Sequence, residues 1–344
     1  MTDTKNKFRI FNNELRALIR RFSKRNTSLT STLCAALLLA MVLTSSLARA
    51  CACGCGVFEV GTSDMLPKGP GGMVYEEFDY QSQSINWSGS SRAPKADNGD
   101  NLIRTYFVTT GFQYMFNRSW GVQVEIPYDY RRFTTTGGPT GSDTVSNNWG
   151  TLGDIRIEGI YTGFQPDMSV GVTGGLKLPT GSYSHQDAYG DIDRDSELGT
   201  GSTDILLGGF YRHNFGNGFT GFAQTQLDIP VLVQEGYRPG FEIDTSAGLY
   251  YGFRLGRVRV SPVAQIIFSE RTKDDGVNAS GGANANPAGG VNSGYQRVLL
   301  SPGIEFDMHP WSLYIDVELP VYEHTTGNQL IAPELVKLIM SYHF

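Results

Sequence analysis

Three cysteines crowd into five residues, Cys51-Ala52-Cys53-Gly54-Cys55. Thiols at this C-x-C-x-C spacing could ligate a soft metal, or two could pair as a disulfide in an oxidising compartment with one left spare. Gly54 and Gly56 keep the segment too flexible to preorganise a site, and neither a nearby histidine nor a C-x-x-C-H haem motif is present. Disulfide or processing chemistry therefore stands ahead of metal binding. A second cluster, Asp187, Asp191, Asp193, Asp195 and Glu197, sets acids at alternate positions from 191 onward, in the manner of an oxygen-rich Ca²⁺ loop. Ser196 stands where an EF-hand loop needs glycine, which favours a solvated acidic surface loop over a cation site. A third candidate is Ser182 or Ser184 beside His185, a nucleophile–base pair of a kind that adjacent loop residues form by chance. There is no G-x-S-x-G elbow and no helix for a metalloprotease motif. The expectation is a protein that is not an enzyme and needs no cofactor.

The elements that must position these groups are strands. At the C-terminus Val336, Leu338, Met340, Tyr342 and Phe344 alternate with the more polar set Leu335, Lys337, Ile339, Ser341 and His343. Period-2 alternation means a strand with one oily face. Nothing in the chain predicts a helix to cover it, so lipid is the economical cover and the strand reads as the last of a transmembrane β-barrel. The terminal aromatic Phe344 resembles the signal read by the outer-membrane barrel assembly machinery, which is thus an expected partner alongside outer-membrane lipid.

Residues 1–50 read as a signal peptide and stay outside the fold. A basic region from Lys5 to Arg25 precedes an apolar run, Leu33 to Leu43, and a small-x-small site, Ala48-Arg49-Ala50. That run is shorter than the ~20 residues a membrane helix needs. Lipidation at Cys51 is disfavoured by Arg49, which stands where a small or apolar residue is normally preferred. Nine of the 28 basic residues and two of the 34 acidic ones lie in this segment, so the exported chain nets about −13. That sign excludes nucleic acid as a partner and suits a cation-favouring pore.

Residues 51–71 form a Cys- and Gly-rich periplasmic segment, and strands are predicted over 72–83, 102–116, 119–132, 151–164, 167–179, 202–214, 217–231, 240–254, 257–269, 295–307, 311–323 and 332–344. Short turns such as Asn117-Arg118 and Gly216-Asn217 alternate with long polar loops around 84–101, 133–150, 180–201, 232–239, 270–294 and 324–331. Short turns on one side and long loops on the other are the asymmetry of outer-membrane barrels, with an even strand number near twelve. A soluble β-sandwich would need fewer aromatics at alternate positions.

On the third strand Trp120, Val122, Val124, Ile126, Tyr128 and Tyr130 oppose Gln123, Glu125, Asp129 and Arg131. A charge facing lipid costs ~2–4 kcal/mol near the midplane. The charged face therefore points inward, and the predicted lining residues are Glu125, Asp129, Arg131, Asp154, Arg156, Glu158, Lys177, Asp228, Asp316 and Glu318. About twelve strands falls between filled barrels of ~8 and open porins of ~16–18. A narrow pore and a lumen plugged by its own charge pairs both follow from this.

Two motifs add a resemblance. Gly153-Asp154-Ile155-Arg156-Ile157-Glu158-Gly159 and Gly174-Gly175-Leu176-Lys177-Leu178-Pro179-Thr180-Gly181 resemble the outer-membrane proteins grouped with the meta-pathway of phenol degradation. The resemblance implies a porin-like barrel that helps small aromatic or hydrophobic compounds across the outer membrane.

Overall fold

The computed structural model describes residues 65–137, 143–187, 190–276 and 292–344. Cys51, Cys53 and Cys55 lie outside them, as does the side chain of Asp191. Among the described residues, twelve strands form the wall. They are β1 Gly71–Gln83, β2 Asp100–Met115, β3 Trp120–Gly137, β4 in two pieces (Asp143–Leu152 and Ile155–Tyr161), β5 Val170–Leu178 and β6 Ser202–Gly216. There follow β7 Phe219–Val233, β8 Glu242–Tyr251, β9 Val258–Arg271, β10 Tyr295–Met308, β11 Trp311–Ile331 and β12 Leu335–His343. Each pairs antiparallel with its neighbours in sequence, and β12 returns to β1 from Met73↔His343 to Gln81↔Leu335. The sheet closes into an up-and-down barrel with no free edge, the one β architecture whose backbone is satisfied in lipid. Phe344 finishes the seam: its amide donates to Gly72 O at 2.9 Å and its carbonyl accepts from Gly72 N at 2.8 Å.

Two predicted loops are largely strand. Thr134–Thr136 of β3 pair with Thr144–Ser146 of β4, so much of 133–150 is a hairpin rising beyond the barrel. The β-branched Thr136, Thr144 and Val145 favour this extended form despite the polar composition. Likewise β11 runs on to Ile331, and its upper end pairs with a short strand, Ile85–Gly89.

Outside, alternate positions are apolar and exposed, among them Ile126, Ile157, Leu176, Leu207, Leu249, Ile266 and Leu300. An aromatic girdle circles the turn end, with ring pairs Trp120–Tyr161 at 4.7 Å, Phe219–Tyr251 at 4.8 Å and Trp311–Tyr342 at 4.9 Å. Toward the loop end Tyr80, Tyr106 and Tyr130 form a second group. Ten residues separate Trp120 from Tyr130, ~33 Å of strand or ~25 Å of height at ~40° tilt, which matches the apolar band of an outer-membrane barrel.

Inside, the turn end is apolar. Met73, Tyr75, Met115, Ile160, Phe210, Phe222, Tyr250, Val263, Tyr314 and Ile339 meet there with Met65 and Leu66, which enter from the N-terminal segment. Several of these rings lie flat because the neighbouring strand carries glycine at the same inward row. A Cβ on Gly111 would stand 1.9 Å from the Tyr75 ring, and one on Gly171 2.3 Å from Phe210. Glycine inside a strand here marks a close approach of a neighbouring side chain.

Candidate functional site: a charged chamber in the lumen

Above this apolar floor the lumen turns polar. A cavity of about 210 Å³ lies between the floor and the inward-folded loops. Its wall includes Glu125, Asp129, Asp154, Arg156, Glu158, Lys177 and Asp228. Of the ten predicted lining residues these seven therefore reach one chamber. Arg131, Asp316 and Glu318 also point inward, being 0 %, 2 % and 1 % exposed, but they are packed away from it. Trp120, Tyr128 and Tyr130 point outward as expected.

On the β4–β7 side Lys177 Nζ lies 2.5 Å from Asp204 and donates to Asp228 at 2.7 Å, while Arg156 sits 3.6 Å from Asp228. Across the lumen Lys337 donates to Glu77 at 2.7 Å and stands 3.8 Å from Asp79. Glu125 accepts from Tyr75 Oη at 2.5 Å and from Gln123 at 2.7 Å. Glu158 accepts from Gln226 at 3.2 Å. Paired in this way, most of the belt meets the requirement that buried charges be compensated.

The loop end is narrowed by the chain itself. Arg131 donates to Ser196 O at 2.7 Å and to Glu197 O at 3.0 Å, drawing segment 192–200 into the mouth. Ile192, Arg194, Ser196, Glu197 and Leu198 are buried. The acidic segment is thus no solvated surface loop: an inward arginine supplies donors for its carbonyls, and Ile192 and Leu198 join an apolar cluster with Trp149. Asp193 is the N-cap residue of the short 3₁₀ turn Arg194–Ser196, and Asp195 is its middle residue. Among the described residues no three His, Cys, Asp or Glu side chains gather as a metal site. Arg194 pairs with Glu235 at 3.0 Å and lies over the rings of Tyr183 and Tyr237 at 4.3 and 5.1 Å, which holds a second loop down.

The two sequence motifs meet at this lid. Thr180 Oγ1 donates to Gly153 O at 2.8 Å and accepts from Ile155 N at 2.9 Å. The carboxylate of Asp154 accepts from Gly181 N at 2.9 Å, Thr200 N at 2.8 Å and Thr200 Oγ1 at 2.6 Å. Both Asp154 oxygens are committed, so this predicted lining residue clasps the root of the lid rather than offering a free charge. His185 stacks on Trp149 at 4.6 Å, and burial pushes its imidazole below the ordinary value. Among the described residues no hydrogen bond links His185 to Ser182 or Ser184, and the His185 amide instead donates to Glu197 at 2.6 Å.

Glu77, Asp79 and the Met65–Pro67 entry were not anticipated. The first two were legible, since Glu77, Asp79 and Gln81 alternate with Phe78 and Tyr80. The entry of Met65 depends on Gln113 Nε2 donating to its carbonyl at 2.9 Å, a contact between residues 48 positions apart.

A closed wall with an oily outside, girdles of aromatics and a charged inside defines the class: an up-and-down β-barrel of the outer-membrane type. Among solved structures the chain is similar to the COG4313 outer membrane channel from Pseudomonas putida F1, at 10 % identity and a TM-score of 0.59, over 83 % of this chain and 100 % of that one. The β domain of the Bordetella autotransporter BrkA (14 % identity, TM-score 0.45, 80 % of this chain and 100 % of that one) aligns more loosely. So does the Pseudomonas putida toluene transporter TodX (7 %, 0.39, 79 % and 89 %). No protein-family model matches the sequence, and no curated protein matches it either.

Proposed function

We propose that this chain is an outer-membrane channel for small solutes, with the long loops extracellular and the turns and N-terminal segment periplasmic. The observation that carries it is the charged chamber enclosed by a lipid-facing barrel wall. A scaffold has no need to keep a lumen cavity amid buried charges, each of which is costly to desolvate. Acid-rich walls favour cations at a constriction. Small aromatic or hydrophobic compounds are the solute class suggested by the phenol meta-pathway motifs, and they fit the apolar floor. Phe344 at the closing seam suits a role in recognition by the assembly machinery, and residues 1–50 serve export.

A second reading is favoured by the obstruction at both ends. Met65–Pro67 at the turn end and segment 192–200 at the loop end would make the barrel a plugged scaffold whose loops or Cys-rich segment bind a partner. Planar-bilayer conductance of the purified protein, with reversal potentials in a salt gradient, separates the two. Discrete steps with cation preference support the channel. A folded, heat-modifiable barrel that passes no current supports the scaffold.

A further inference from the structure

The chamber is chemically lopsided. Its lining holds eight carboxylates against three basic side chains, Arg156, Lys177 and Arg271. All three bases are already engaged: Lys177 and Arg156 with Asp228, and Arg271 with Asp274 at 3.1 Å. Three lining carboxylate oxygens, Asp79 Oδ1, Asp129 Oδ1 and Asp228 Oδ1, have no hydrogen-bond partner. Lys337 stands 3.8 Å from the first, and Lys177 and Arg156 hold the other oxygen of the last. That leaves Asp129, 5 % exposed, as the acid to satisfy. A buried carboxylate oxygen without a donor is costly, and a cationic N–H donor relieves that cost most strongly.

The surroundings of Asp129 limit what such a donor can be attached to. Its register partner on β2 is Phe107, on the same inward face. Nearer the floor the lining is Ile160, Phe210, Met65 and Leu66. The chamber is larger than the ~150 Å³ cavity that takes up benzene. One ring with a short charged arm therefore fits, its arm at Asp129 and its body beside Phe107.

We propose that the chamber is a binding site for a small organic ammonium cation with a compact aromatic or alkyl body. The ammonium donates to Asp129, and the body packs against Phe107, its neighbour across the β2–β3 pair. The proposal rests on the channel reading for its role, because the bound cation is then the solute in transit. Anions are rejected by the surplus carboxylates, and a neutral ring leaves Asp129 unpaired.

The test is calorimetry on the full protein purified in detergent, with benzylamine, benzyl alcohol and benzoate as probes. Saturable benzylamine binding, about tenfold tighter than benzyl alcohol and without benzoate binding, is expected. Asp129→Asn should remove about that tenfold preference, and Asp129→Glu should restore part of it. Equal binding of amine and alcohol would overturn the cation site, as would no amine binding to the wild-type protein. The wild-type comparison decides the matter even if the variants fold poorly. Conductance on the same sample separates the two ideas. Current that benzylamine does not block, with no binding, removes the site and leaves the channel. Amine binding without current leaves the site and removes the channel.

Discussion

Two lysines face the lumen amid acids, and they do different work. Lys177 on β5 lines the chamber, with Asp204 and Asp228 on one side and Arg156 close by as a second cation. Lys337 on β12 does not reach the chamber. It joins Glu77 and Asp79 of β1 and is the register partner of Asp316 on β11, beside the buried Leu335 and Ile339. One lysine lines the cavity, and the other sits in the wall at the seam that closes the barrel. The same residue type thus sets the field of a cavity in one place and fastens strands in the other. Packing around the amine decides which.

Lys337 carries the largest expected effect. Lys337→Ala leaves Glu77 and Asp79 buried without their cation, and removing one partner of a buried pair costs about 3–5 kcal/mol. Loss of the heat-modifiable band at lower temperature, or a lower urea midpoint, would register it. An unchanged midpoint would break the comparison, since the seam would then not depend on this amine.

Asp154 comes next, because it belongs to neither lysine group and holds the lid. Asp154→Ala deletes three hydrogen bonds to a charged acceptor, worth about 1.5–3 kcal/mol each at most and less in sum where the loop relaxes. The wall should stay folded while the lid loosens, so single-channel conductance should rise. Conductance equal to wild type would mean that the Arg131 contacts alone keep segment 192–200 in place.

Lys177→Ala should cost less stability than the Lys337 change, about 1–3 kcal/mol, since Arg156 remains near Asp228 and the site borders a cavity. Its signature is electrical. With Asp204 and Asp228 less compensated, the reversal potential should move toward stronger cation preference. A stability loss matching that of Lys337→Ala, with unchanged selectivity, would erase the distinction between the two sites.

The barrel was legible because period 2 is a local signal. Trp120 to Arg131 declares both faces of β3 within one strand, and Asn117 and Gly216 mark the turns that set register. Residues that act through distant partners were not legible in that way. Asp154 reads as one more inward acid until Gly181 and Thr200 are brought to it, 27 and 46 residues along the chain. The acidic segment reads as solvated because its neighbours in sequence are polar, and it is drawn inside by distant groups, Arg131 of β3, Asp154 and Trp149. Composition reports what a segment contains, whereas its burial is decided by donors elsewhere in the chain.

The lid differs from the belt in one further way, because its acids lie beyond the lipid band and meet each other more than they meet bases. Burial pushes the Asp100 carboxyl from 3.8 up to about 6, and Asp193 adds to the rise. Asp195 is held above the ordinary carboxylate value by burial and by Asp193, Asp274 and Asp100, against the lowering pull of Arg271. Both acids keep their protons more readily in the packed lid than free in water. Lid packing is therefore strongest below about pH 4, where both forms are protonated, and weakens as the pH rises through about 6. Both residues are only half-buried, so solvent screening makes this the smallest effect of the four. Conductance measured while the loop-side bath is taken from pH 4 to pH 7 should increase, with Asp100→Asn flattening the lower part of the rise. A rise of equal size in Asp100→Asn would move its origin from the lid to the charged belt below, where Lys177 and its acids face the chamber.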